Sequence, residues 1–471
     1  MIQDQTTKNP PVLEPTILVI FGITGDLAQR KLLPALYHLI KDKLLDPHTI
    51  IVGVTRRRIT IEELWSNIEL CVLEEDKVCD PVALNHMKKS LRMHQMDLTN
   101  PSDYDVLHNL LDEIEERHGV CMNRLYYLSI PPQVSSPIVR LMGEHDMNAS
   151  CAHGTAVTRL LLEKPFGYDL PSAKLLVEQI GTYFKEEQIF RIDHYLAKET
   201  AQDILQFRYA NPIFAPIWNN QHVDSIVIRA IESLGIENRV HFYEQTGALR
   251  DLIQSHLLQL LALVTMELPD KLESGQIHKN KQKLFDHIKP MATNKVATLA
   301  TRGQYEGYKK QVGKKTSTTE TYASIELRID TPRWKNVPMT LVTGKALDQK
   351  RTDITLQFRT DENGEHNRLT FRIQPNEGIE LRLKVKTPGF SKRTETALMD
   401  FNYEKTFDNH GHPDAYERVL VDAVKGDHTL FATTKEVIAG WKIIQPVIDA
   451  WSKNGKDLQI YRSGSKGPRV R

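Results

Sequence analysis

The sequence has few cysteines. It contains 4 of them in 471 residues, at positions 71, 79, 121 and 151, and no two have the close spacing of a metal-binding pair. A low cysteine content is typical of chains that fold in a reducing compartment. We therefore expect reduced thiols, no metal site and a cytoplasmic location.

The sequence also lacks an excess of either charge. It has 61 Lys and Arg residues against 60 Asp and Glu residues, so it has no broad positive field for nucleic acid or an anionic membrane surface. Two lysine-rich segments, 279–283 and 309–315, are predicted to be solvated loops. The apolar segment 17–21 is too short for a signal-peptide core or a membrane span. Any recognition of phosphate must therefore be local.

The chain is long for one hydrophobic core, and its hydrophobic pattern changes along its length. Up to about residue 195, apolar strand-like segments alternate with amphipathic ones, which predicts a Rossmann-like α/β domain with a parallel sheet. Beyond about residue 220, apolar and polar residues mostly alternate, which predicts a larger α+β domain with a mainly antiparallel sheet. The predicted division is a mobile N-terminus (1–15), a dinucleotide-binding domain (16–195), a substrate and dimerisation domain (196–462) and a mobile tail (463–471).

The first apolar segment ends at a glycine turn. Thr16 to Phe21 reads as a strand, residues 22–28 (GITGDLA) as a turn, and the following residues as a helix. Such a turn lets the backbone approach a pyrophosphate and presents the free N–H groups of a helix start. The G-x-x-G-x-x-A spacing differs from the standard G-x-G-x-x-G. The turn alone therefore does not distinguish a nucleotide site from an ordinary connection.

The second apolar segment, Thr49 to Val54, is followed closely by Arg56. Proteins that select NAD place an acidic residue near this strand end, whereas an arginine accommodates the 2′-phosphate of NADP. Arg56 thus indicates NADP, although the sequence does not exclude NAD as a second cofactor. The neighbouring Arg57 and Arg58 have no assigned role and fit a solvated loop.

The nonapeptide 191–199 (RIDHYLAKE) has an unusual density of charged and hydrogen-bonding side chains. His194, Tyr195 and Lys198 could supply the imidazole, phenol and ammonium donors that bind a phosphate monoester. A solvated helix start is the structural alternative. The nonapeptide lies near the predicted domain junction, a location that suits a binding cleft.

Two further segments contain candidate functional residues. An apolar strand leads into residues 163–167 (EKPFG), which places Lys164 at the carboxyl end of a strand, where parallel sheets bind ligands. Residues 247–260 have helical periodicity and place His256 among leucines. A lone histidine on an apolar helix is usually a satisfied core residue, so only the other motifs favour a functional role.

Taken in order, these segments resemble the glucose-6-phosphate dehydrogenase family. The resemblance extends from about Ile17 to Tyr461 and continues through 304–305 (QY), 319–321 (TET), 333–334 (RW), 344–347 (GKAL), 374–377 (QPNE) and 413–418 (PDAYER). It implies an NADP-dependent oxidation of D-glucose 6-phosphate to 6-phospho-D-glucono-1,5-lactone, the first step of the oxidative pentose phosphate pathway. It also implies a homodimer or homotetramer, with the dimer formed through the sheet of the second domain.

The resemblance implies a role for each matching residue. His256 would be the general base that takes the hydroxyl proton as hydride leaves, and Asp193 would orient it. The implied substrate-binding residues are Lys164, His194, Tyr195, Lys198, Glu232, Asp251, Lys345 and Lys350. The implied cofactor-binding residues are Gly22, Thr24, Gly25, Asp26, Leu27, Arg56, Asp97, Tyr127 and Lys164.

Four residues differ from those usual in the family at the same positions, namely Ser129, Ala197, Ser255 and Lys350. Ala197 replaces a glycine, so the backbone must avoid a glycine-only conformation there. Lys350 keeps the charge of the usual arginine but loses its bidentate geometry. Some relatives have a longer carboxyl extension that helps to hold a second, structural NADP, and this sequence stops short of it. A structural NADP site is therefore not expected.

Two other functions fit part of the sequence. Another class of sugar dehydrogenases also joins a dinucleotide fold to an open-sheet domain and uses a Glu-Lys-Pro segment. The nonapeptide and the setting of His256 separate this chain from that class. A non-catalytic NADP sensor would keep the fold and lose turnover, and the presence of Asp193, His194, Lys198, Asp251 and His256 argues against such a loss.

Overall fold

The computed structural model describes residues 12–65, 79–149, 156–360, 366–407, 413–453 and 455–469. Within these ranges the chain divides into two compact units. The first comprises the described residues of Met1–Phe166, Leu175–His194 and Pro413–Ala432, and the second those of Gly167–Lys174, Tyr195–His412 and Thr433–Arg471. The chain passes from the first unit to the second between His194 and Tyr195, within the nonapeptide, and residues 413–432 also join the first unit.

The strands follow the predicted change from parallel to antiparallel pairing. They are β1 Thr16–Phe21, β2 Ile50–Thr55, β3 Leu91–Gln95, β4 Asn123–Leu128, β5 Thr158–Leu162, β6 Ile189–Ile192, β7 Val223–Ile231, β8 Ala300–Tyr305, β9 Tyr322–Leu327, β10 Met339–Gly344, β11 Arg351–Thr360, β12 His366–Gln374, β13 Gly378–Lys386, β14 Thr394–Asn402, β15 Phe431–Ala432 and β16 Leu458–Tyr461.

The α-helices longer than one turn lie between these strands and after them. They are α1 Leu33–Lys41, α2 Pro81–Ser90, α3 Pro101–His118, α4 Pro132–Glu144, α5 Leu170–Gly181, α6 Glu199–Ala210, α7 Val240–Ala248, α8 Leu258–Thr265, α9 Ser274–Asp286, α10 Ala415–Lys425 and α11 Thr434–Lys453. Two π-helical segments, Ala28–Leu32 and Leu249–Leu257, precede α1 and α8. Shorter helical turns occupy Glu186–Gln188, Pro212–Ile217, Thr293–Lys295, Val296–Leu299, Tyr308–Gln311, Tyr403–Thr406 and Gly455–Asp457.

The first unit is built on a seven-stranded sheet in the order β15-β6-β5-β4-β1-β2-β3. Strands β1 to β6 pair in parallel, and β15 pairs antiparallel to β6. Every residue of β1, β2 and β4 is buried, as expected for central strands of a sheet covered on both faces. The local sequence agrees with this layout, since α3 has Pro101 at its first turn and ends at Gly119, with φ of 66°.

The returning segment 413–432 is an integral part of the first unit. Arg159 of β5 donates to the carbonyl oxygens of Ala423 and Val424 at the end of α10, at 2.7 and 2.5 Å. His38, in α1, lies 2.7 Å from the carboxylate of Glu417, which belongs to α10. These bonds attach α10 to strand β5 and to helix α1. The first unit is therefore completed by residues that are far apart in the sequence.

The second unit is built on a nine-stranded sheet in the order β14-β13-β12-β11-β7-β10-β9-β8-β16. Most neighbours are antiparallel, while β7 pairs in parallel with β10 and β8 with β16. All eight residues of α8 are buried, and a helix that is apolar on every side belongs in a core. The two-part fold class predicted from the sequence, α/β plus α+β, is therefore confirmed.

Several local expectations need correction. Residues 279–283 lie in α9 rather than in a solvated loop, and Lys281 is fully buried against Glu436. The tail segment 463–469 is anchored rather than mobile. The Gly464 N–H donates to Ala346 O, and the Asp348 N–H donates to Ser465 O. The lysines of 309–315 are exposed as predicted, although Tyr308–Gln311 forms a short helical turn rather than a loop.

Two of the cysteines can be compared with the expectation of reduced thiols. Cys79 is a reduced thiol, whereas Cys121 is disulfide-bonded, so the expectation holds for the first and is wrong for the second. Cys71 and Cys151 lie outside the described residues. In the part of the chain that the structure describes, no helix combines the length and apolar character needed to cross a bilayer.

Candidate active site

Residues predicted from the sequence gather at one edge of the first unit's sheet. Because β1 to β6 are parallel, their carboxyl ends share that edge, where open parallel sheets bind ligands. The predicted residues at or just after these ends are Gly22, Arg56, Asp97, Tyr127, Lys164 and Asp193.

The glycine turn after β1 has the geometry that its sequence predicts. Gly22 has φ of +82°, and a Cβ placed on it would lie 2.5 Å from the carbonyl oxygen of Ser129. The Gly25 N–H donates to Gly22 O at 2.9 Å, and the Gln29 N–H donates to Gly25 O at 3.1 Å. Thr24 is partly exposed and Asp26 is exposed. A side chain at position 22 is therefore excluded, and the bare backbone turn at the helix start fits a pyrophosphate.

Arg56 and Asp97 follow neighbouring strands, β2 and β3. Arg56 is exposed, and its carbonyl oxygen accepts a bond of 3.4 Å from the side-chain amide of Gln95. The Asp97 carboxylate accepts from the backbone N–H and the hydroxyl of Thr99, at 2.9 and 2.8 Å. These two bonds, with the nearby charge of Arg56, lower the pKa of Asp97. The structure therefore brings these two predicted residues together and leaves Arg56 open to an anion.

Tyr127 is fully buried at the end of β4. Its hydroxyl donates to the carboxylate of Glu163 at 2.6 Å. Burial raises the pKa of Glu163 to about 7, and the Asp193 charge raises it further, while the bond from Tyr127 and the charge of Lys164 act in the opposite direction. Sequence reasoning gave Glu163 no role. The signal was available, since Glu163 ends the apolar strand that leads to Lys164.

The first three residues of the nonapeptide are buried at the end of β6. The guanidinium of Arg191 pairs with Glu186 at 3.0 Å and is 1% exposed, so this charge has a structural partner within its own unit. Asp193 is 4% exposed. Ala197, two residues into the second unit, is not among the described non-glycine residues with positive φ, so its methyl group is accommodated as expected.

In the second unit, Tyr195 and His256 form a stacked pair of rings. Their centroids are 4.3 Å apart, the planes meet at 24°, and both residues are buried. The Lys198 ammonium lies 5.4 Å from the Tyr195 ring centroid and hydrogen-bonds to the side chain of Gln374. Three predicted residues thus meet in space. Gln374, the last residue of β12, had no assigned role, although it opens the QPNE motif.

His256 and Asp251 both lie in the π-helical segment Leu249–Leu257, and both are buried. Hydrogen bonds in a π-helix run from residue i to i+5, so residues five apart lie nearly on one face. An α-helix would separate them by about 140° around the axis. The unusual helix therefore explains how Asp251 and His256 come to share a face, which the assumed helical periodicity did not predict.

The π-helical segment begins at a sharp break in α7. Gly247 has φ of +66°, and a Cβ there would lie 2.4 Å from the Glu320 carboxylate. Glu320 accepts a bond of 3.0 Å from the Leu249 N–H, where a carboxylate complements the positive end of the helix. Only glycine fits this approach. Gly247 and Glu320 therefore set the start of the segment that carries Asp251 and His256.

Glu232 and Lys345 follow strands β7 and β10, which are parallel neighbours with Gly344 opposite Ile231. The Lys345 ammonium hydrogen-bonds to the Glu232 carboxylate. Lys350 is exposed and precedes β11, whose Arg351 is also opposite Ile231. The three predicted residues therefore lie at one end of three adjacent strands.

The parallel sheet with its glycine turn, together with a buried histidine beside a tyrosine and a lysine, defines the class of nicotinamide-dependent dehydrogenases with a separate substrate domain. Comparison with known proteins makes this assignment specific. The chain belongs to the glucose-6-phosphate dehydrogenase family, because the family's NAD binding domain matches residues 19–203 and its C-terminal domain matches residues 205–471.

Relatives match over nearly the whole chain. Glucose-6-phosphate 1-dehydrogenase of Chlamydia muridarum is 37% identical over 487 residues, covering 97% of this chain and 94% of the relative. The Bacillus subtilis enzyme of the same name is 35% identical over 474 residues, covering 96% and 95%. A solved glucose-6-phosphate dehydrogenase in complex with its substrate glucose-6-phosphate superimposes with a TM-score of 0.90 at 30% identity, covering 98% and 96%. The Mycobacterium avium enzyme gives 0.82 at 32% identity, covering 96% of each chain.

Proposed function

We propose that the chain is a glucose-6-phosphate dehydrogenase that oxidises D-glucose 6-phosphate to 6-phospho-D-glucono-1,5-lactone with NADP. Full-length membership of the family supports the reaction. The observation that carries the proposal is the assembly of Tyr195, His256 and Lys198 in the second unit. It combines a group that can accept a proton with a cation and a phenol that can bind a phosphate.

His256 acts as the general base in this proposal. It takes the proton of the anomeric hydroxyl while hydride leaves the same carbon. The Tyr195 ring, stacked at 4.3 Å, stabilises the imidazolium through its π face. Asp193 is proposed to orient the imidazole, and Asp251 and Glu232 to accept hydrogen bonds from sugar hydroxyls.

Cationic and phenolic side chains hold the sugar phosphate in this proposal. Lys198 and Tyr195 are already in contact in the second unit, and Lys345 lies at the end of β10 with its ammonium on Glu232. His194, Lys350 and Lys164 are proposed to complete the set. A doubly charged phosphate monoester would replace Gln374 as the hydrogen-bond partner of Lys198 and gain a charge-assisted bond.

We propose NADP rather than NAD as the preferred cofactor. When bound, the nicotinamide ring accepts the hydride. Gly22, Thr24, Gly25, Asp26 and Leu27 form the turn that would hold the pyrophosphate. Arg56, exposed after β2, would hold the 2′-phosphate, and Asp97 and Tyr127 are proposed to line the same site.

An absorbance assay for NADPH formation tests the proposal. Purified protein should reduce NADP with glucose 6-phosphate and be far less active with free glucose or 6-phosphogluconate. Reduction that is equally fast with free glucose would indicate another class of sugar dehydrogenase. Cofactor binding without turnover on any sugar would indicate a sensor.

The same assay tests the phosphate site through Lys198→Ala. Removing the ammonium should raise KM for glucose 6-phosphate by about 10- to 100-fold, as expected for loss of a charge-assisted bond, and should weaken the preference over free glucose. Lys315→Ala, at an exposed lysine, is the matched control and should behave as wild type. An unchanged preference in Lys198→Ala would remove this residue from the phosphate site.

We further propose a homodimer formed through the sheet of the second unit. The outer strands β13 and β14 expose Val385 and Met399, at 46 and 62%, and the pairing of Leu381 with Met399 places both side chains on one face of the sheet. Exposed apolar side chains on neighbouring strands are typical of a subunit interface. The cytoplasmic location expected from the cysteine content stays a prediction.

A further inference from the structure

The residue that follows β10 is fixed through its main chain by the carboxyl-terminal strand. The Tyr461 hydroxyl lies 2.7 Å from the carbonyl oxygen of Lys345 and 2.8 Å from the hydroxyl of Thr321. The N–H of Lys345 donates to Thr321 O at 2.9 Å. Both backbone polar groups of Lys345 are therefore occupied by two buried residues, Tyr461 and Thr321.

The residues after Lys345 are held in an uncommon conformation. Ala346 has φ of +52°, a left-handed value that costs free energy in a residue with a side chain. Its N–H donates to Leu234 O at 2.8 Å, and its carbonyl accepts from the Gly464 N–H at 2.8 Å. Such a conformation persists only where surrounding bonds determine it. The chain after Tyr461 supplies one of those bonds.

The direction of the Lys345 side chain depends on this arrangement. Its ammonium contacts Glu232 and lies 5.5 Å from the centroid of the Tyr243 ring. Glu232 is bonded to the same loop, since its N–H donates to Gly344 O at 2.8 Å and its carbonyl accepts from Leu347 at 2.9 Å. A shift of the loop would therefore move the ammonium and the carboxylate together.

We propose that Tyr461 is a positioning residue for the substrate phosphate, acting through the main chain of Lys345. The inference rests on the proposed role of Lys345. Tyr461 touches neither substrate nor cofactor in this proposal. Its hydroxyl holds the loop 344–347 so that the Lys345 ammonium is placed before the sugar phosphate arrives, which lowers the ordering cost of binding.

Kinetics of Tyr461→Phe test the proposal, because phenylalanine fills the same core volume without the hydroxyl. KM for glucose 6-phosphate should rise about three- to tenfold, the usual effect of losing one neutral hydrogen bond, while KM for NADP stays constant. Tyr322→Phe is the matched control. Tyr322 belongs to the same aromatic cluster, with its ring centroid 6.1 Å from that of Tyr461, but its hydroxyl bonds to Ser324. It should leave both KM values unchanged.

Lys345→Ala and the double variant separate the two proposals. If Lys345→Ala leaves KM for glucose 6-phosphate unchanged, the assignment of Lys345 is wrong and the role of Tyr461 is rejected with it. If Lys345→Ala raises KM but Tyr461→Phe does not, only the positioning role is rejected. If Tyr461→Phe raises KM by the same factor with Lys345 present or absent, it acts by another route and the proposal is also rejected. Support requires that its effect disappear in the Lys345→Ala background.

Discussion

At the scale of one residue, His256 combines complete burial with a proposed catalytic role. It is fully buried on a helix rich in leucine, the setting in which a histidine usually serves only the core. The stacked Tyr195 ring and the Asp251 carboxylate on the same π-helical face distinguish it. The residue type and its role could be proposed from the motif. Its ring partner could not, because Tyr195 is 61 positions away in the sequence.

Replacing His256 tests its role as the base. His256→Asn keeps much of the side-chain volume but cannot take up a proton, so kcat should fall by about 100- to 10,000-fold, the usual loss for a general base. Steady-state kinetics measure this change. Binding of glucose 6-phosphate, followed by titration calorimetry, should be nearly unchanged. A kcat within a few-fold of wild type would exclude His256 as the base.

Arg56 provides a test of cofactor choice at the same scale. Arg56→Ser should raise KM for NADP about 10- to 100-fold, because a charge-assisted bond to the 2′-phosphate is lost, with little effect on NAD. The measurement is the ratio of kcat/KM values for the two cofactors. Arg58→Ser, at an exposed neighbour with no proposed contact, should keep the wild-type ratio. Equal ratios in all three proteins would contradict the assignment.

At the scale of elements, helices α9 and α11 are joined by a buried ion pair. The Lys281 ammonium lies 2.9 Å from the Glu436 carboxylate, with both side chains fully buried. His278 bonds to the other carboxylate oxygen at 2.8 Å. Although burial alone would raise it, the pKa of Glu436 falls to about 2, owing to the Lys281 charge and the His278 bond. The lysine pattern at 279–283 predicted a solvated loop. The prediction was wrong because Lys281 pairs with a buried carboxylate 155 positions away, which composition alone cannot reveal.

Breaking this pair should destabilise the protein. Lys281→Met leaves Glu436 without its main partner and should lower the free energy of unfolding by about 3–5 kcal/mol, the usual cost of an uncompensated buried charge. The double variant Lys281→Met/Glu436→Met should recover most of that loss. Urea denaturation at pH 7, followed by circular dichroism, measures both. A Lys281→Met variant as stable as wild type would contradict the account.

The pair also predicts how stability depends on pH. Because the folded-state pKa of Glu436 lies below its ordinary value of 4.5, its contribution is present above about pH 4.5 and is lost as the pH falls toward 2. The double variant lacks this group, so its stability should fall less steeply over that interval. Parallel slopes for wild type and the double variant would show that Glu436 makes no such contribution.

Strand periodicity predicted β1, β2, β4 and β5 of the first sheet, but in the second sheet it missed β10, which lies between β7 and β9. Two omissions in the first sheet, β6 and β3, have physical reasons. β6 has four residues and runs into the charged nonapeptide, so no apolar pattern marks it. β3 is an edge strand with mixed burial, which weakens its alternation. The π-helical segments were not predicted, because the spacing of apolar residues does not distinguish them from an α-helix over so few turns.

On the scale of the whole molecule, the change from parallel to antiparallel sheet was predicted because it follows from periodicity. The membership of residues 413–432 in the first unit was not predicted. Their bonds join positions as distant as Arg159 and Val424, and no local pattern encodes a partner 265 residues away. The predicted site residues at strand ends lie along one edge because parallel strands share their carboxyl edge, while their roles stay predictions.

Assembly can be tested through the sheet of the second unit. Met399→Glu places a charge on an exposed position of β14, where like charges from two copies would repel across the proposed interface. The measured mass should shift toward the monomer in light scattering at micromolar concentration. Val82→Glu, at a 77% exposed position of α2 in the other unit, is the control and should not change the mass. A Met399→Glu protein with wild-type mass would place the interface elsewhere.

Residues 413–432 return to the sheet of the first unit, so the protein cannot be cut once into two independent domains. A fragment ending near residue 203, where the first family domain ends, would lack β15 and α10. Strand β6 would then carry unsatisfied backbone groups on one side, immediately before Asp193, and such an edge invites pairing with other chains. An isolated nucleotide-binding half should therefore aggregate unless residues 413–432 are grafted back through a linker.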